Sequence, residues 1–435
     1  MMSMRPLRAA LLAAPALFLA SLLLPSSLAA SGFSIYEQGG RGMGFSGAYA
    51  ALADDPSAIF HNPAGIAFLK GKQIYLGGTL VAPRSRFTGD DPFPGAGTRE
   101  EQDVGLIPVP TLYYTQKVRD RLVLGVGLDS PFGLKTQWAN PKTYSGRFIS
   151  LEADLKSFSL NPTVAYKLAD RLSIGGGLDF RLSKVNLRRR VPSVNPFTQT
   201  VIDVAEVQLE SGWDTGWGFN VGLLAKPSEN LSLGLAYRHK VTVDYTGDAA
   251  FTPIPTGNAQ VDAAAAAGLP AGRPGITTAI TFPASFSGGA AYHWEQWTVA
   301  ADTVWFQWST FSRLQVDFER GSGVASQTIE EDYQSIWQFR VGLERRLNER
   351  WAVRGGYHFD QTPVPAPSVS PLLPDQDRHG FSLGGSWTEG RLRIDAGAWY
   401  LRLSPRSTEG LNRDRYNGTY DNSAFTFGVS LGYAF

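Results

Sequence analysis

Phe425-Thr426-Phe427-Gly428-Val429-Ser430-Leu431-Gly432-Tyr433-Ala434-Phe435 ends the chain with a large apolar side chain at every second position. Small or weakly polar residues fill the positions between. A period of two marks an extended strand, whose successive side chains point to opposite faces. In a soluble sandwich the apolar face would look inward to a core and the other face would meet water. Here the second face offers almost nothing that could fill a core. The contrast recurs in Leu122, Leu124, Val126 and Leu128 against Gly125, Gly127 and Asp129. It recurs again in Leu172, Ile174, Leu178 and Phe180 against Ser173, Gly175, Gly177, Asp179 and Arg181. Leu231, Leu233, Leu235 and Tyr237 oppose Ser232, Gly234, Ala236 and Arg238, while Trp351, Val353, Tyr357 and Phe359 oppose Ala352, Arg354, Gly356, His358 and Asp360. Hydrophobes on one side with glycines and charges on the other are the dyad of a lipid-facing barrel with a polar interior. A large soluble β-sandwich is the competing reading.

Bulk composition narrows the choice. A net charge of +1 leaves no cationic excess to neutralise phosphates, which argues against a nucleic-acid partner. Charged residues make up 18% of the 435, fewer than the roughly 25% of an ordinary soluble protein. There is no cysteine, so neither disulfides nor thiolate sites exist. Arg5 and Arg8, the apolar run Ala9 to Pro25 and the small residues Ser27-Leu28-Ala29 read as a secretory signal peptide over 1–29. Beyond Ala30 no apolar run is long enough to cross a membrane as a helix.

Turns set the expected strand count. Short polar turns occur at Arg119-Asp120-Arg121, Ala169-Asp170-Arg171, Pro227-Ser228-Glu229-Asn230, Glu295-Gln296, Asn348-Glu349-Arg350 and Thr388-Glu389-Gly390. Between them run long Pro/Gly/charge-rich stretches near 89–105, 135–146, 190–203, 247–276, 310–330, 361–378 and 403–423. Outer-membrane barrels have short periplasmic turns, long external loops and an even strand number. Six turns and seven loops predict a 14-stranded antiparallel transmembrane β-barrel over 71–435. Trp294, Trp297, Trp351 and Trp387 sit beside the periplasmic turns, where an aromatic girdle belongs, and Trp305 and Trp308 are expected toward the other rim. The last strand, ending at Phe435, looks like the signal read by the barrel assembly machinery.

Residues 30–70 do not alternate. They are rich in glycine, alanine and small polar residues, as befits an N-terminal lumenal hatch (plug), since irregular backbone is tolerated at membrane depth only inside protein. Asp54 or Asp55 is expected to cap a short helix with Pro56 at its first position, ending at Asn62 because Pro63 follows. Gly42-Met43-Gly44-Phe45-Ser46-Gly47 matches G-x-G-x-x-G but lacks the strand before it that a dinucleotide site needs; small-residue packing in a lumen explains it better. The five histidines show no metal-ligand spacing, so neither metal nor other cofactor is expected. No nucleophile-elbow sequence is present, although a dispersed hydrolase triad is not settled by spacing.

Three further features stand out. In Gly127-Leu128-Asp129-Ser130-Pro131-Phe132-Gly133 a proline meets a strand that has no free edge in a closed barrel. Either a bulge opens the wall there, or the strand ends and Pro131 belongs to the second loop. Val261-Asp262 with five alanines and Gly268 reads as a short capped helix in an unusually apolar fourth loop. Arg181 and Arg340 fall on polar-face positions of strands five and ten. Each could meet a ligand carboxylate, or join a lumenal network with acids such as Asp179, Asp302 and Glu344.

These residues resemble a known family, the FadL-type long-chain fatty acid transporters of the outer membrane, which also includes toluene- and xylene-class hydrocarbon channels. The resemblance covers essentially the whole mature chain. It is carried by Gly32-Phe33 with Tyr36-Glu37-Gln38, Ala53-Asp54-Asp55 and Asn62-Pro63-Ala64-Gly65, similar to the family's hatch. Phe132-Gly133-Leu134 with Trp138 resembles the segment after the family's third-strand kink. Asn161-Pro162-Thr163, Thr362-Pro363-Val364-Pro365 and Pro374-Asp375-Gln376-Asp377-Arg378 match barrel and loop signatures. The resemblance implies a non-enzymatic monomer in a Gram-negative outer membrane, among lipid and lipopolysaccharide, that takes up hydrophobic small molecules. A ligand would adhere between the third and fourth loops and pass to an apolar lumenal pocket. A shift of Phe33 and Ile35 in the hatch, which Asn62, Pro63 and Ala64 shape, would then release it sideways at the kink of Asp129, Pro131, Phe132 and Gly133. Fatty acid and neutral hydrocarbon both remain open as substrate, and a general porin or an outer-membrane hydrolase are the alternatives.

Overall fold

The computed structural model describes residues 32–435, so the signal peptide expected over 1–29 lies outside the described residues. Fourteen antiparallel strands follow one another round a closed ring among these residues. They are β1 (Lys72–Gly89), β2 (Ile107–Arg119), β3 (Leu122–Asp129, continued by Gly133–Gln137), β4 (Glu152–Ala169) and β5 (Leu172–Val194). Next come β6 (Val201–Ser211 and Asp214–Ala225), β7 (Leu231–Arg238 and Val241–Pro253), β8 (Gly275–Phe282 and Ser285–Trp294) and β9 (Trp297–Phe306). The ring ends with β10 (Ile336–Arg346), β11 (Trp351–Asp360), β12 (Arg378–Glu389), β13 (Leu392–Leu403) and β14 (Gly418–Ala434). Pairing of β1 with β14 from Gln73↔Ala434 to Gly89↔Gly418 closes the ring. Closure is what hydrocarbon demands, because an unpaired edge there leaves backbone groups unsatisfied at several kcal/mol each.

The alternation maps onto the wall as expected. Phe427 and Leu235 are 45% and 46% exposed on the outer face, whereas Thr426 and Ser430 are buried inside. The six periplasmic turns fall where the polar punctuation put them. The third loop is only 195–200, because Arg188-Arg189-Arg190 and their neighbours pair with Glu206 to Glu210 and prolong the β5–β6 hairpin beyond the wall. Trp294 stacks on Trp297, and Trp351 pairs in register with Trp387, as a periplasmic girdle requires. Trp308 departs from expectation: it is fully buried inside the barrel, its ring 4.6 Å from that of Phe33. It lies beyond the end of β9, where a one-turn 3-10 helix (Trp308–Thr310) breaks the alternation and turns the side chain inward.

Residues 32–69 lie within the ring. They form α1 (Gly40–Gly44), α2 (Ala58–His61) and a 3-10 helix (Pro63–Phe68). α2 starts later than its sequence suggests, with Ser57 at the N-cap, because Asp55 Oδ1 instead accepts from the Ser57 amide and hydroxyl at 2.8 and 2.5 Å. It ends at Asn62, whose extended backbone (φ −157°, ψ 101°) is what the following proline imposes. In the fourth loop α3 (Ala259–Gly268) is capped by Asn258 rather than by a residue nearer the alanines.

At Pro131 the wall is broken rather than ended. β3 stops at Asp129 and resumes at Gly133, and its register with β4 shifts by one residue between Asp129↔Ser159 and Gly133↔Lys156. That is a bulge. On the other side β2 pairs with β3 only as far as Leu112↔Leu128, while residues 107–111 of β2 pair with β1 alone. Pro108 and Pro110 fall in this stretch at alternate positions, so both lack an N–H on the same strand edge. Since the β1 ladder is continuous there, that edge is the one facing the gap.

Leu235 points outward from β7, five residues beyond Asn230 of the periplasmic turn, and is 46% exposed. Leu235→Arg is expected to lower folding stability by about 2–4 kcal/mol, read as the shift in denaturant midpoint for refolding into lipid vesicles. An unchanged midpoint would mean that this face does not meet hydrocarbon.

Candidate functional site

The lumen is built by bringing an irregular backbone against a wall stripped of side chains. A Cβ on Gly234 would stand 2.0 Å from the Ala50 carbonyl oxygen, and one on Gly222 would stand 2.1 Å from Asn62 Oδ1. Only glycine lets the two chains come so close. Asn62 uses its whole amide at this seat. Its Oδ1 accepts from the Ala64 amide at 3.1 Å, and its Nδ2 donates to Ala50 O at 2.8 Å and to Leu223 O of β6 at 3.1 Å. Pro63 and Ala64 pack on Gly175 of β5. The G-x-G-x-x-G run is part of the same packing, with Gly44 against Arg354 and Gly384 and Gly47 against Arg340 and Tyr36.

Charges complete the seat. Arg41 donates to Asp54 at 2.7 and 2.9 Å and to Glu344 of β10 at 2.6 Å. Arg354 of β11 donates to the same Glu344 oxygen at 2.6 Å. Asp302 of β9 accepts from the backbone amides of Tyr49 and Ala50 at 2.6 and 2.7 Å, which satisfies two donors that no helix would otherwise pair. Arg340 donates to Asp360 at 2.9 Å, Gln338 at 2.7 Å and Ser46 O at 3.0 Å, with the Tyr36 ring 4.1 Å from its guanidinium. Arg340 therefore sits in a network, though its acid is Asp360 rather than those expected. Sequence reading missed Asp360 here, and missed Arg41 and Arg354 as the partners of Glu344. An arginine in a glycine-rich run is the one signal that marked Arg41; Asp54 lies 13 positions on, but Glu344 stands 303 positions away.

The first residues of the segment are joined to the wall break. Ile35 N donates to Pro131 O at 2.9 Å, Gly133 N donates to Phe33 O at 3.0 Å, and Gln38 Nε2 donates to Ser130 O at 2.9 Å. Phe33 stands among Phe132, Phe282, Trp308 and Phe311, at ring separations of 4.6 to 6.2 Å. Phe33, Ile35, Pro131, Phe132 and Gly133 thus form one cluster, whereas Asn62, Pro63 and Ala64 anchor lower, on β5 and β6. Asp129 is buried beside the break, and neither carboxylate oxygen has a hydrogen-bond partner. Arg181 lies level with it across Ser159 of β4, its guanidinium 5.0 and 4.9 Å from the Phe132 and Phe282 rings. Nη2 of Arg181 bonds Asp179 at 2.8 Å, while its Nε and Nη1 have no partner.

A cavity of about 570 Å³ runs from this cluster into the gap between β2 and β3. Phe33, Ile35, Phe132 and Leu155 border it within, and Leu106 and Val109 border it on the β2 side. Among the described residues no group of His, Cys, Asp and Glu is arranged to hold a metal ion. Ser46 Oγ and His358 Nδ1 are 2.9 Å apart, but both are sealed in the interior, out of a substrate's reach.

A closed wall that is apolar outside, a filled polar lumen and a breach leading to a greasy cavity define an outer-membrane β-barrel transport protein. The sequence profile of the family described as outer membrane protein transport protein (OMPP1/FadL/TodX) matches residues 21–435, and the chain belongs to that family. It is 26% identical to a long-chain fatty acid transport protein of Escherichia coli, over 97% of this chain and 98% of the relative. Its fold is similar to that of a Pseudomonas aeruginosa FadL homologue, with a TM-score of 0.80 and 21% identity over 93% of this chain and 100% of the other. It is also similar to that of the Pseudomonas putida toluene transporter TodX, with a TM-score of 0.71 and 19% identity over 94% and 99%.

Glu344 serves two buried arginines, so Glu344→Gln is expected to destabilise the segment's seat by about 3–5 kcal/mol. A barrel that still migrates as folded but conducts ions more freely in planar bilayers is the expected result. Wild-type stability together with wild-type conductance would refute the network's role.

Proposed function

We propose that the protein takes up hydrophobic compounds, long-chain fatty acids or aromatic hydrocarbons, across the outer membrane and releases them sideways through its own wall. Residues 30–70 act as a hatch over the lumen. Ligand held near Phe33 leaves when Phe33 and Ile35 shift away from Pro131 and Gly133, and it passes between β2 and β3 into the bilayer. The observation that carries this reading is the gap itself: residues 107–111 and 133–137 share no ladder, and a cavity of about 570 Å³ lies behind them. Two prolines on the β2 edge leave no N–H stranded there, so the breach carries a smaller desolvation penalty than an ordinary strand edge. An apolar solute gains about 25 cal/mol per Å² by staying out of water, which favours the lateral route over a periplasmic one. The names of the relatives point to the same substrate classes. A filled lumen speaks against a general porin, and the sealed Ser46–His358 pair speaks against a hydrolase. We also take the chain to work as a monomer among lipid and lipopolysaccharide, delivered by the barrel assembly machinery through the strand ending at Phe435.

Replacing Pro131-Phe132-Gly133 with a regular alternating strand is expected to cut uptake of oleate and toluene to background while heat-modifiable folding is kept. Normal uptake would rule out lateral release. Arg181, with two unpaired donors beside the cluster, is the better placed of the two candidate arginines for a carboxylate, because Arg340 is engaged with Asp360 and Gln338. Arg181→Met is expected to weaken oleate binding by about tenfold, the scale of one charge-assisted hydrogen bond, with toluene binding unchanged. Equal losses for both ligands would remove the carboxylate role.

A further inference from the structure

Arg345 is the last outward position of β10, on the same face as the exposed Phe339 and Leu343. Its register partners are Trp297 of β9 on one side and Val353 of β11 on the other. Among the described residues its side chain has no carboxylate in ion-pair reach and makes no hydrogen bond. What it does have is the Trp297 ring, whose centroid lies 5.1 Å from the guanidinium. A charge on the lipid face costs stability, least near the interface and most at mid-depth. The neighbouring turn avoids that cost by pairing Arg350 with Glu389 at 3.3 Å. Arg345 has only aromatic and aliphatic neighbours on its face, so its counter-charge comes from outside the chain.

Depth specifies that counter-charge. Arg345 precedes the periplasmic turn at Asn348 by three residues, about 10 Å of strand at roughly 3.3 Å per residue. This is the level of the aromatic girdle. Trp297 stacks on Trp294 with ring centroids 6.5 Å apart, Trp294 reaches Tyr292 at 6.1 Å, and Trp351 stands exposed on β11. Such belts sit at headgroup height. At the periplasmic end the headgroups are those of the inner leaflet, and the anionic group there is a phosphodiester. The indole N–H groups of Trp294 and Trp297 have no acceptor among the described residues, so a phosphate or ester oxygen can take them. Arg346, next in the chain, also lacks an acid in ion-pair reach among those residues and adds to the positive charge at this rim.

We infer that Arg345, with Trp294 and Trp297, is a binding site for an anionic phospholipid of the inner leaflet. The guanidinium takes the phosphate oxygens as a charge-assisted pair, and the indoles lie along the glycerol and the upper acyl chains. A headgroup that carries its own ammonium is held less well, because that cation competes with Arg345 for the phosphate. The site is seven strands from the breach in a ring of fourteen, at β9 and β10 against β2 and β3. A lipid held there anchors the far wall and leaves the breach clear.

Equilibrium binding to the purified full-length protein in detergent tests this, with dioleoylphosphatidylglycerol and dioleoylphosphatidylethanolamine as probes. The unaltered protein is expected to bind the glycerol lipid more tightly. Arg345→Gln is expected to weaken that binding by about tenfold, the scale of one charge-assisted hydrogen bond, and to leave the ethanolamine lipid unaffected. Arg345→Lys, which keeps the charge and loses the planar fork, falls between. Unchanged phosphatidylglycerol affinity in Arg345→Gln overturns the inference and leaves an arginine that only reaches up to water. An equal loss for both lipids overturns it too, since shape and not charge would then be read. Should Arg345→Gln fail to fold, the unaltered protein still decides: its preference for phosphatidylglycerol is expected to shrink as salt is raised, and a preference indifferent to salt refutes the site.

Discussion

An irregular stretch of backbone cannot sit at membrane depth unless protein satisfies its polar groups, and the interior of this barrel is organised around that requirement. The inward face of the wall meets it in two ways. Glycines such as Gly175 and Gly234 let the segment's own backbone come within contact distance, and inward carboxylates such as Asp302 take its unpaired amides. Arg41 then ties the segment to β10 through Glu344. Low charge and high glycine content, odd in a soluble protein of this size, follow from a wall that must be greasy outside and bare inside.

The same economy applies at the break in β3. Its exposed carbonyl and amide groups are not left open, because Phe33 and Ile35 pair with Pro131 and Gly133 as a short substitute strand. On the proposed reading this makes gate and exit one structure. Moving the N-terminal residues would remove both the aromatic plug at Phe33 and the hydrogen bonds that brace the kink. Asp129, buried with two unpartnered oxygens next to this joint, is a polar group whose desolvation the surrounding contacts must offset.

Arginine has two different uses in the interior. Arg41, Arg340 and Arg354 are spent on the protein's own acids and carbonyls, so they hold the segment in place. Arg181 keeps two donors unpaired and lies against the Phe132 and Phe282 rings. Identity of residue type says nothing about which use applies; the number of acceptors already engaged decides it.

The outward hydrophobes of β3, β5, β7, β11 and β14, the six short turns and hence the strand number were all legible in the sequence, because each depends on neighbours two to four residues apart. So was the helix stop at Asn62, a local effect of Pro63, and so was the anomaly of Pro131, a local conflict between proline and ladder. Which way that conflict resolved was not local: the bulge requires Ser159 and Lys156 of β4 on one side and the absence of a β2 partner on the other. Trp308 read as a rim residue since nothing nearby announces that a 3-10 turn swings it inward to Phe33. The contacts of Arg41 with Glu344, and of Arg340 with the Ser46 carbonyl, join residues some 300 positions apart in the chain. Periodicity and turn chemistry thus determined the barrel, while the closing of the ring decided which charges are already paired and where the wall stands open, since only closure brings those residues within a few ångströms of one another.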